Sequence, residues 1–502
     1  MTQGLDVLIV GAGAGGGTLA YALAKTGKRI LILERGDYLP REKENWDANA
    51  IFLEERYYAQ ETWRDRDQKE FQPEIHYFVG GNTKVYGAVL QRMRGEDFGE
   101  IKHYDGISPA WELSYEDYEP YYCQAEQLFK IHGRGDEDPT EPARSQPYPY
   151  PAFPHEPRIQ QVADGFKAAG LHPFHNNLSL DRDLENPLNS PCIRCDTCDP
   201  FPCLLNAKCD AQTACIDRAL EYDNVTLKTN TRVTRLIPNE AGTKIQGVEA
   251  EVEGKIQEFK AEIVVLSCGA INSARLLLQS ACDQFPQGIA NSSGLVGRNL
   301  MLHNHSAVIA VSRQPNTTTF QKTLGLNDFY FRGVDSDYPL GSIQLTGKAQ
   351  WQRLKRFADV WTPRWLLEYI ARHSVDFWVT TEDLPRPENR VYLNPQGNLV
   401  VDYQENNLKP HHELIAVLKS FLRQQDFYWF WTKQMPLQVV WHQSGTCKFG
   451  RDPQTSVLDL NCRTHDLDNL YVVDASFLPS MGAVNLTLTI IANSLRVAEY
   501  LQ

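Results

Sequence analysis

Six of the eleven cysteines fall between Cys192 and Cys215. Cys192, Cys195, Cys198 and Cys203 are separated by two, two and four residues, with Pro202 beside the last. Thiolates this close in one loop can converge on a soft metal centre, and the pattern suits an iron–sulfur cluster. Zinc, disulfides and inert thiols stay open as readings, although the segment holds no histidine and is tighter than two separated Cys-x2-Cys knuckles. Cys209 and Cys215, further out, read as packing residues. A second feature is His442, which follows Val439-Val440-Trp441 and precedes Gln443-Ser444-Gly445. Imidazole is the side chain best suited to take a hydroxyl proton near neutral pH. The apolar run reads as a strand end from which the ring reaches a cleft; a histidine satisfied within the core is the alternative. His303 and His305, flanking Asn304, could line the site, but read first as packing residues or a surface turn.

The third feature is glycine. Leu5-Asp6-Val7-Leu8-Ile9-Val10 reads as a buried strand and runs directly into Gly11-Ala12-Gly13-Ala14-Gly15-Gly16-Gly17. A helix is expected over 18–25 and a second strand over 29–33, ending at Glu34. Gly11, Gly13 and Gly16 form the G-x-G-x-x-G fingerprint in the strand–helix–strand context that a dinucleotide requires. The glycines admit a pyrophosphate to the backbone, the helix N-terminus attracts its charge, and Glu34 holds ribose hydroxyls. Glu34 would also face a 2′-phosphate, which disfavours NADP. The fingerprint alone does not separate NAD from FAD.

The surrounding chain narrows the setting. At 502 residues, two domains or one elaborated fold are expected. Hydrophobic residues make up 42% and charged residues 23%, an ordinary soluble composition. A net charge of −13 argues against nucleic acid and against an anionic membrane surface as the main partner. No apolar run reaches the length of a transmembrane segment. The chain is read as mature from Met1 and cytoplasmic.

Further segments resemble the glucose–methanol–choline (GMC) oxidoreductase family, which is FAD-dependent. Leu33-Glu34-Arg35-Gly36 closes the N-terminal unit, and Gly80-Gly81-Asn82-Thr83-Lys84-Val85-Tyr86-Gly87 is similar to the family's second glycine-rich stretch near the flavin. The segment from Trp111 to Tyr122 is similar to the one that follows in family members. The stretches 264–277 and 292–301 with His303 continue the match. His442-Gln443-Ser444-Gly445-Thr446, Val472-Val473-Asp474-Ala475-Ser476 and Asn485-Leu486-Thr487-Leu488 complete it near the C-terminus. The resemblance implies His442 as the catalytic base and Asn485 as the partner that binds the substrate oxygen. It adds Gly80, Gly81, Asn82 and Asp474 to Gly11, Gly13, Gly16 and Glu34 as FAD-binding residues. Leu486 stands where many relatives carry proline, which leaves the local turn open. Ala207-Lys208-Cys209-Asp210-Ala211, after the cysteine loop, resembles the fructose, gluconate and glucose dehydrogenases of the family, which carry an iron–sulfur cluster; their spacing is not reproduced here.

These observations predict an α/β fold with a Rossmann-like FAD-binding domain from 1–110, 190–305 and 440–502. A substrate domain on an antiparallel sheet backed by helices is expected from 111–189 and 306–439. A hairpin at 390–403 is expected to roof the flavin, with Trp361, Trp365, Trp378, Tyr428, Trp429, Phe430 and Trp431 as pocket or core aromatics. The expected activity is hydride transfer from a CH–OH group of an alcohol, sugar or polyol to FAD, with electrons leaving through the iron–sulfur cluster to a quinone or haem partner. The alternatives are a flavin-bearing lyase or decarboxylase and a redox-sensing electron carrier.

Overall fold

The computed structural model describes residues 4–502, so Met1 lies outside the described residues. Five parallel strands form the first sheet, in the order Val225–Lys228, Ile30–Leu33, Leu5–Val10, Ala261–Leu266 and Leu470–Val472. The strands are short and apolar because both faces are covered. Ile30–Leu33 is buried throughout, and the helices Ala14–Ala24 and Thr487–Tyr500 pack on each other beside the sheet. Chain order reverses between Leu5–Val10 and Ala261–Leu266. Their C-terminal ends carry Gly11 and Ser267, and a crevice opens there, as it does at the switch point of a doubly wound sheet.

The second layer is a six-stranded sheet in the order Phe427–Gln434, Asn304–Ser312, Ser374–Thr381, Ser342–Leu345, Leu324–Leu326 and Phe174–His175. It is antiparallel throughout. The helices Pro157–Ala168 and Leu408–Arg423 cover one face through Ile159, Phe166, Leu414 and Leu418. Trp351–Phe357 and Arg364–His373 cover the other through Leu354, Leu367 and Ile370.

Two expectations about this half need correction. The hairpin Arg390–Leu393/Leu399–Asp402 exists, but it joins Trp63–Asp65 and Glu70–Phe71 in a separate four-stranded sheet. The cavity is roofed by the six-stranded sheet instead, through Gln344, Leu345 and Trp378. His442 is also not on a strand. The strand Phe427–Gln434 stops before Pro436, and Val440 donates to the carbonyl of Gln438 in a tight turn, so the histidine sits in a loop.

Candidate active site

The glycine turn is built by close approach. Gly16 packs against the start of its own turn so tightly that a Cβ there would lie 2.1 Å from the Gly11 carbonyl oxygen. Gly13 is different: a Cβ there would meet nothing within 4 Å, because it would project into open space. Gly13 is the N-cap of the helix Ala14–Ala24 and has no side chain to cap it; Gly16 donates its N–H to Ser267 Oγ at 2.7 Å, which leaves the amides of Ala14 and Gly15 for an anion. Gly80 donates its N–H to the carbonyl of Ala12 at 2.9 Å, and Gly81 lies against Gly13, so the second glycine-rich stretch forms the facing wall. Glu34 is buried, accepting the N–H of Ala12 and of Gly36 at 2.9 Å each. Burial raises its pKa, and each oxygen keeps a lone pair for a hydroxyl donor. Asp474 accepts the N–H of Gly269 and Ser476 and the hydroxyl of Ser273, tying three turns together at the cavity wall.

A cavity of about 370 Å³ extends from this turn past Asn82 and Gln443. A second space of about 160 Å³ continues from it, and His76, Asn82, Thr83, Trp441 and Thr487 line both. The far end is walled by His442, Asn485, Gln344, Trp378 and Arg353. Trp378 and Trp441 stack there with centroids 5.8 Å apart. The donor-rich turn, the acidic ribose acceptor and the elongated shape fit a dinucleotide that reaches His442 with its far end.

His303 and His305 do not lie on a surface turn. Both are buried, and both point at His442. An antiparallel bridge brings them there: Met301 and Ser444 exchange N–H···O bonds at 3.1 and 3.0 Å, which places the residues two beyond and two before them side by side. His303 takes a left-handed backbone, φ 63°, with its N–H and that of Leu302 donated to the Asp383 carboxylate at 2.9 Å each. Among the described residues, these three histidines are the group whose metal-ligating atoms all lie within 4.8 Å of one another.

The contacts of His442 Nδ1 demand opposite tautomers. Trp378 Nε1–H donates to His305 Nδ1 at 3.0 Å, so a neutral His305 carries its proton on Nε2. That proton faces His442 Nδ1 at 3.1 Å. On the other side, His303 Nε2 donates to the Gly482 carbonyl at 2.9 Å, leaving Nδ1 an acceptor 2.9 Å from the same nitrogen. His303 therefore favours a His442 protonated on Nδ1, whose Nε2 is a base open to the cavity. His305 favours the reverse. Burial lowers the His442 pKa to about 4 and pushes His303 and His305 well below their usual range. The expected titration near neutral pH is thus displaced to acid, because burial at the cavity wall penalises an imidazolium.

Asn485 precedes the helix Thr487–Tyr500. Its amide donates to the Val89 carbonyl at 3.1 Å and to Gln344 Oε1 at 3.3 Å. Gln344 was not identifiable from its sequence, since a glutamine in a short strand carries no signal. His76, whose pKa burial lowers to about 4, was missed for the same reason.

The cysteine loop sits beside this cavity, with Asp199 and Pro200 in its wall. Cys192, Cys195, Cys198 and Cys203 gather in one small cluster with Ala88, Phe153 and Phe320. All eleven cysteines are free. A tetrahedral zinc with bonds of about 2.3 Å would need its sulfurs close together. An iron–sulfur cluster spreads its thiolates further, because each sulfur binds a different iron. Burial and the neighbouring thiols push Cys192 up to about 12. Two buried lysines lie by the other thiols: Lys208 beside Cys198 and Cys203, and Lys322 beside Cys198 and Cys195. Cys209 and Cys215 are buried outside this cluster, in the main core.

Two family profiles, both described as GMC oxidoreductase, match residues 6–305 and 385–494. The 6'''-hydroxyparomomycin C oxidase of Streptomyces lividus is 29% identical, covering 98% of this chain and 90% of that protein. The fructose dehydrogenase large subunit of Gluconobacter japonicus is 26% identical over 99% and 98% of the two chains. The fold is similar to that of pyridoxine 4-oxidase from Mesorbium loti, with a TM-score of 0.70 at 18% identity over 99% and 98% of the chains. The chain belongs to the GMC oxidoreductase family of FAD-binding flavoproteins.

Proposed function

We propose that the protein is an FAD-dependent dehydrogenase that oxidises a CH–OH group of a sugar- or polyol-type alcohol. The continuity of the cavity carries this reading: the glycine turn and the pair His442 and Asn485 open into one space. Similarity to a fructose dehydrogenase subunit over nearly the whole chain favours a sugar-type donor. FAD, when bound, supplies the two-electron acceptor for the hydride. Glu34 holds its ribose end, and Gly11, Gly13 and Gly16 receive its pyrophosphate, with Gly80, Gly81 and Asn82 opposite. Asp474 keeps the adjoining turns in place. His442 takes the hydroxyl proton at Nε2, with its Nδ1 proton retained by His303. Asn485 positions the substrate oxygen; its long contact to Gln344 is the one such an oxygen replaces, while Val89 keeps the amide oriented.

A second element of the proposal is the cysteine loop. Two buried lysines beside Cys195, Cys198 and Cys203 favour an iron–sulfur cluster held by Cys192, Cys195, Cys198 and Cys203, since ammonium groups there would balance thiolate charge. Such a cluster would give electrons a one-electron exit to a quinone or haem partner. Protein purified without air and mixed anaerobically with sugars and alcohols tests both elements. Bleaching of the flavin band supports the dehydrogenase. A flavin unbleached by every donor class transfers the assignment to a lyase, decarboxylase or electron carrier. Protein free of iron and sulfide removes the cluster and leaves the flavin chemistry standing.

A further inference from the structure

Most of the aromatic residues expected in the pocket are elsewhere. Trp378 lines the substrate end, but Trp361 is 93% exposed, Val360 81% and Trp365 69%. Tyr428, Trp429 and Tyr369 are 42–50% exposed. They form one surface. Val360 and Trp361 lie on the turn between the helices Trp351–Phe357 and Arg364–His373. Trp365 and Tyr369, one turn apart, share the outer face of the second helix, whose inner face buries Leu367 and Ile370. The hydroxyls of Tyr369 and Tyr428 are 3.1 Å apart, which joins the helix to the sheet's edge strand Phe427–Gln434. Single exposed apolar residues are ordinary; a contiguous patch marks a docking surface.

The turn is held outward. The Lys355 ammonium donates to the carbonyl of Val360 at 2.7 Å and reaches those of Thr362 and Asp359. Leu354 anchors the preceding helix in the core. Trp361 is therefore presented by an ordered turn.

Charge selects the partner. The chain's net charge of −13 argues against an anionic surface for the molecule as a whole, but residues 348–373 carry six lysines and arginines against two acids, with Arg356 held by Glu55 and Glu74 and Arg364 by Glu368. Arg313, Arg372 and Arg423 are exposed and enter none of the ion pairs among the described residues. Arg313 is close enough to Tyr428 to act on it electrostatically, and Arg423 lies over the Phe430 ring at 5.2 Å. Tryptophan and tyrosine with interleaved arginine suit a membrane–water interface. A protein hot spot needs a shaped pocket for each aromatic, whereas a lipid interface accepts a projecting turn without one.

We infer that this helical hairpin docks the protein peripherally on an anionic lipid surface, with Trp361 and Trp365 entering the headgroup region and the arginines pairing with lipid phosphates. Among the described residues, no helix is long and apolar enough to cross a membrane. Arg353, on the first helix of the same hairpin, lines the substrate end of the cavity.

Co-sedimentation of the holoenzyme with phosphatidylcholine vesicles, with and without phosphatidylglycerol, tests the inference. The wild type should bind the anionic vesicles, release in high salt, and show tryptophan quenching by brominated acyl chains. The double variant Trp361→Ser, Trp365→Ser should lose about tenfold or more in partitioning and lose the quenching, with flavin spectrum and Tm retained. If that variant does not fold, Arg313→Glu with Arg372→Glu should abolish the preference for anionic lipid. A wild type that ignores anionic vesicles, or a folded variant that binds as well as wild type, overturns the inference. So does light scattering that finds the lipid-free wild type dimeric and the tryptophan variant monomeric, since the patch is then an interface between copies.

Discussion

The glycine turn at 11–17 and the histidine cluster around His442 occupy two ends of one cavity, and they are made in opposite ways. The turn is local: consecutive residues, backbone amides and a helix start that follow directly from a strand. The cluster is assembled from side chains more than 130 residues apart, held by a bridge between Met301 and Ser444. Damage to the first should remove the cofactor or the fold. Damage to the second should leave both and change a rate.

The largest effect is expected at Gly16. Gly16→Val places a branched side chain against the Gly11 carbonyl, and folded protein should be lost, as soluble yield and a thermal melt will show. Gly13→Val sharpens the point, because its side chain enters open space: the protein should fold and remain colourless. Yellow, fully occupied Gly13→Val protein would break the assignment of the phosphate turn. Next in size is His442→Ala, which should retain FAD and slow flavin reduction by about 10²-fold or more in stopped flow. Reduction at the wild-type rate would remove His442 from proton transfer.

A smaller and more specific effect separates the two neighbours of His442. His303→Leu removes the acceptor that favours the basic tautomer and should slow reduction about five- to tenfold, the worth of one hydrogen bond. His303→Asn, whose amide oxygen can accept the same proton, should recover part of that loss. His305→Leu removes the opposing donor and should not slow the step at all. Equal losses at both positions would show that the cluster acts by packing alone.

The smallest effects are in pH. Only neutral imidazole accepts a proton, and the His442 pKa lies at about 4, so flavin reduction should be flat from about pH 5 to 8 and fall below that. Stability follows the same groups. His76 and His442 titrate at about 4 in the folded chain, and His155 and His411 at about 3, against 6.5 when unfolded. Below 6.5 the unfolded chain binds more protons, so the stabilisation is complete above that pH and is lost as pH falls toward 4. A melt at about pH 5 should give a Tm several degrees below that at pH 7. An unchanged Tm would mean these rings reach water.

What the amino-acid sequence determined by itself is the part of the protein in which chemistry and chain order coincide. The strand Leu5–Val10, the glycines after it, the strand Ile30–Leu33 and Glu34 were legible because a phosphate turn needs residue types at fixed offsets in one short segment. His442 and Asn485 were legible as motif positions, and the structure places both on the cavity wall. Tertiary structure decided the rest. Local apolar patterning suggested a strand at 439–442, but the chain had already turned after Pro436. The hairpin at 390–402 was visible in its alternation, whereas its sheet was not, since a period of two gives the pleat and not the partner. The aromatic run from Trp361 to Trp431 reads identically whether its rings face a cavity, a core or water; only packing separated Trp378 from Trp361. His303 and His305 were legible as residues that pack, turn or line the site, and nothing local chose among these. Their partner, His442, lies 139 and 137 residues away, and its tautomer depends on hydrogen bonds that exist only once the chain has closed.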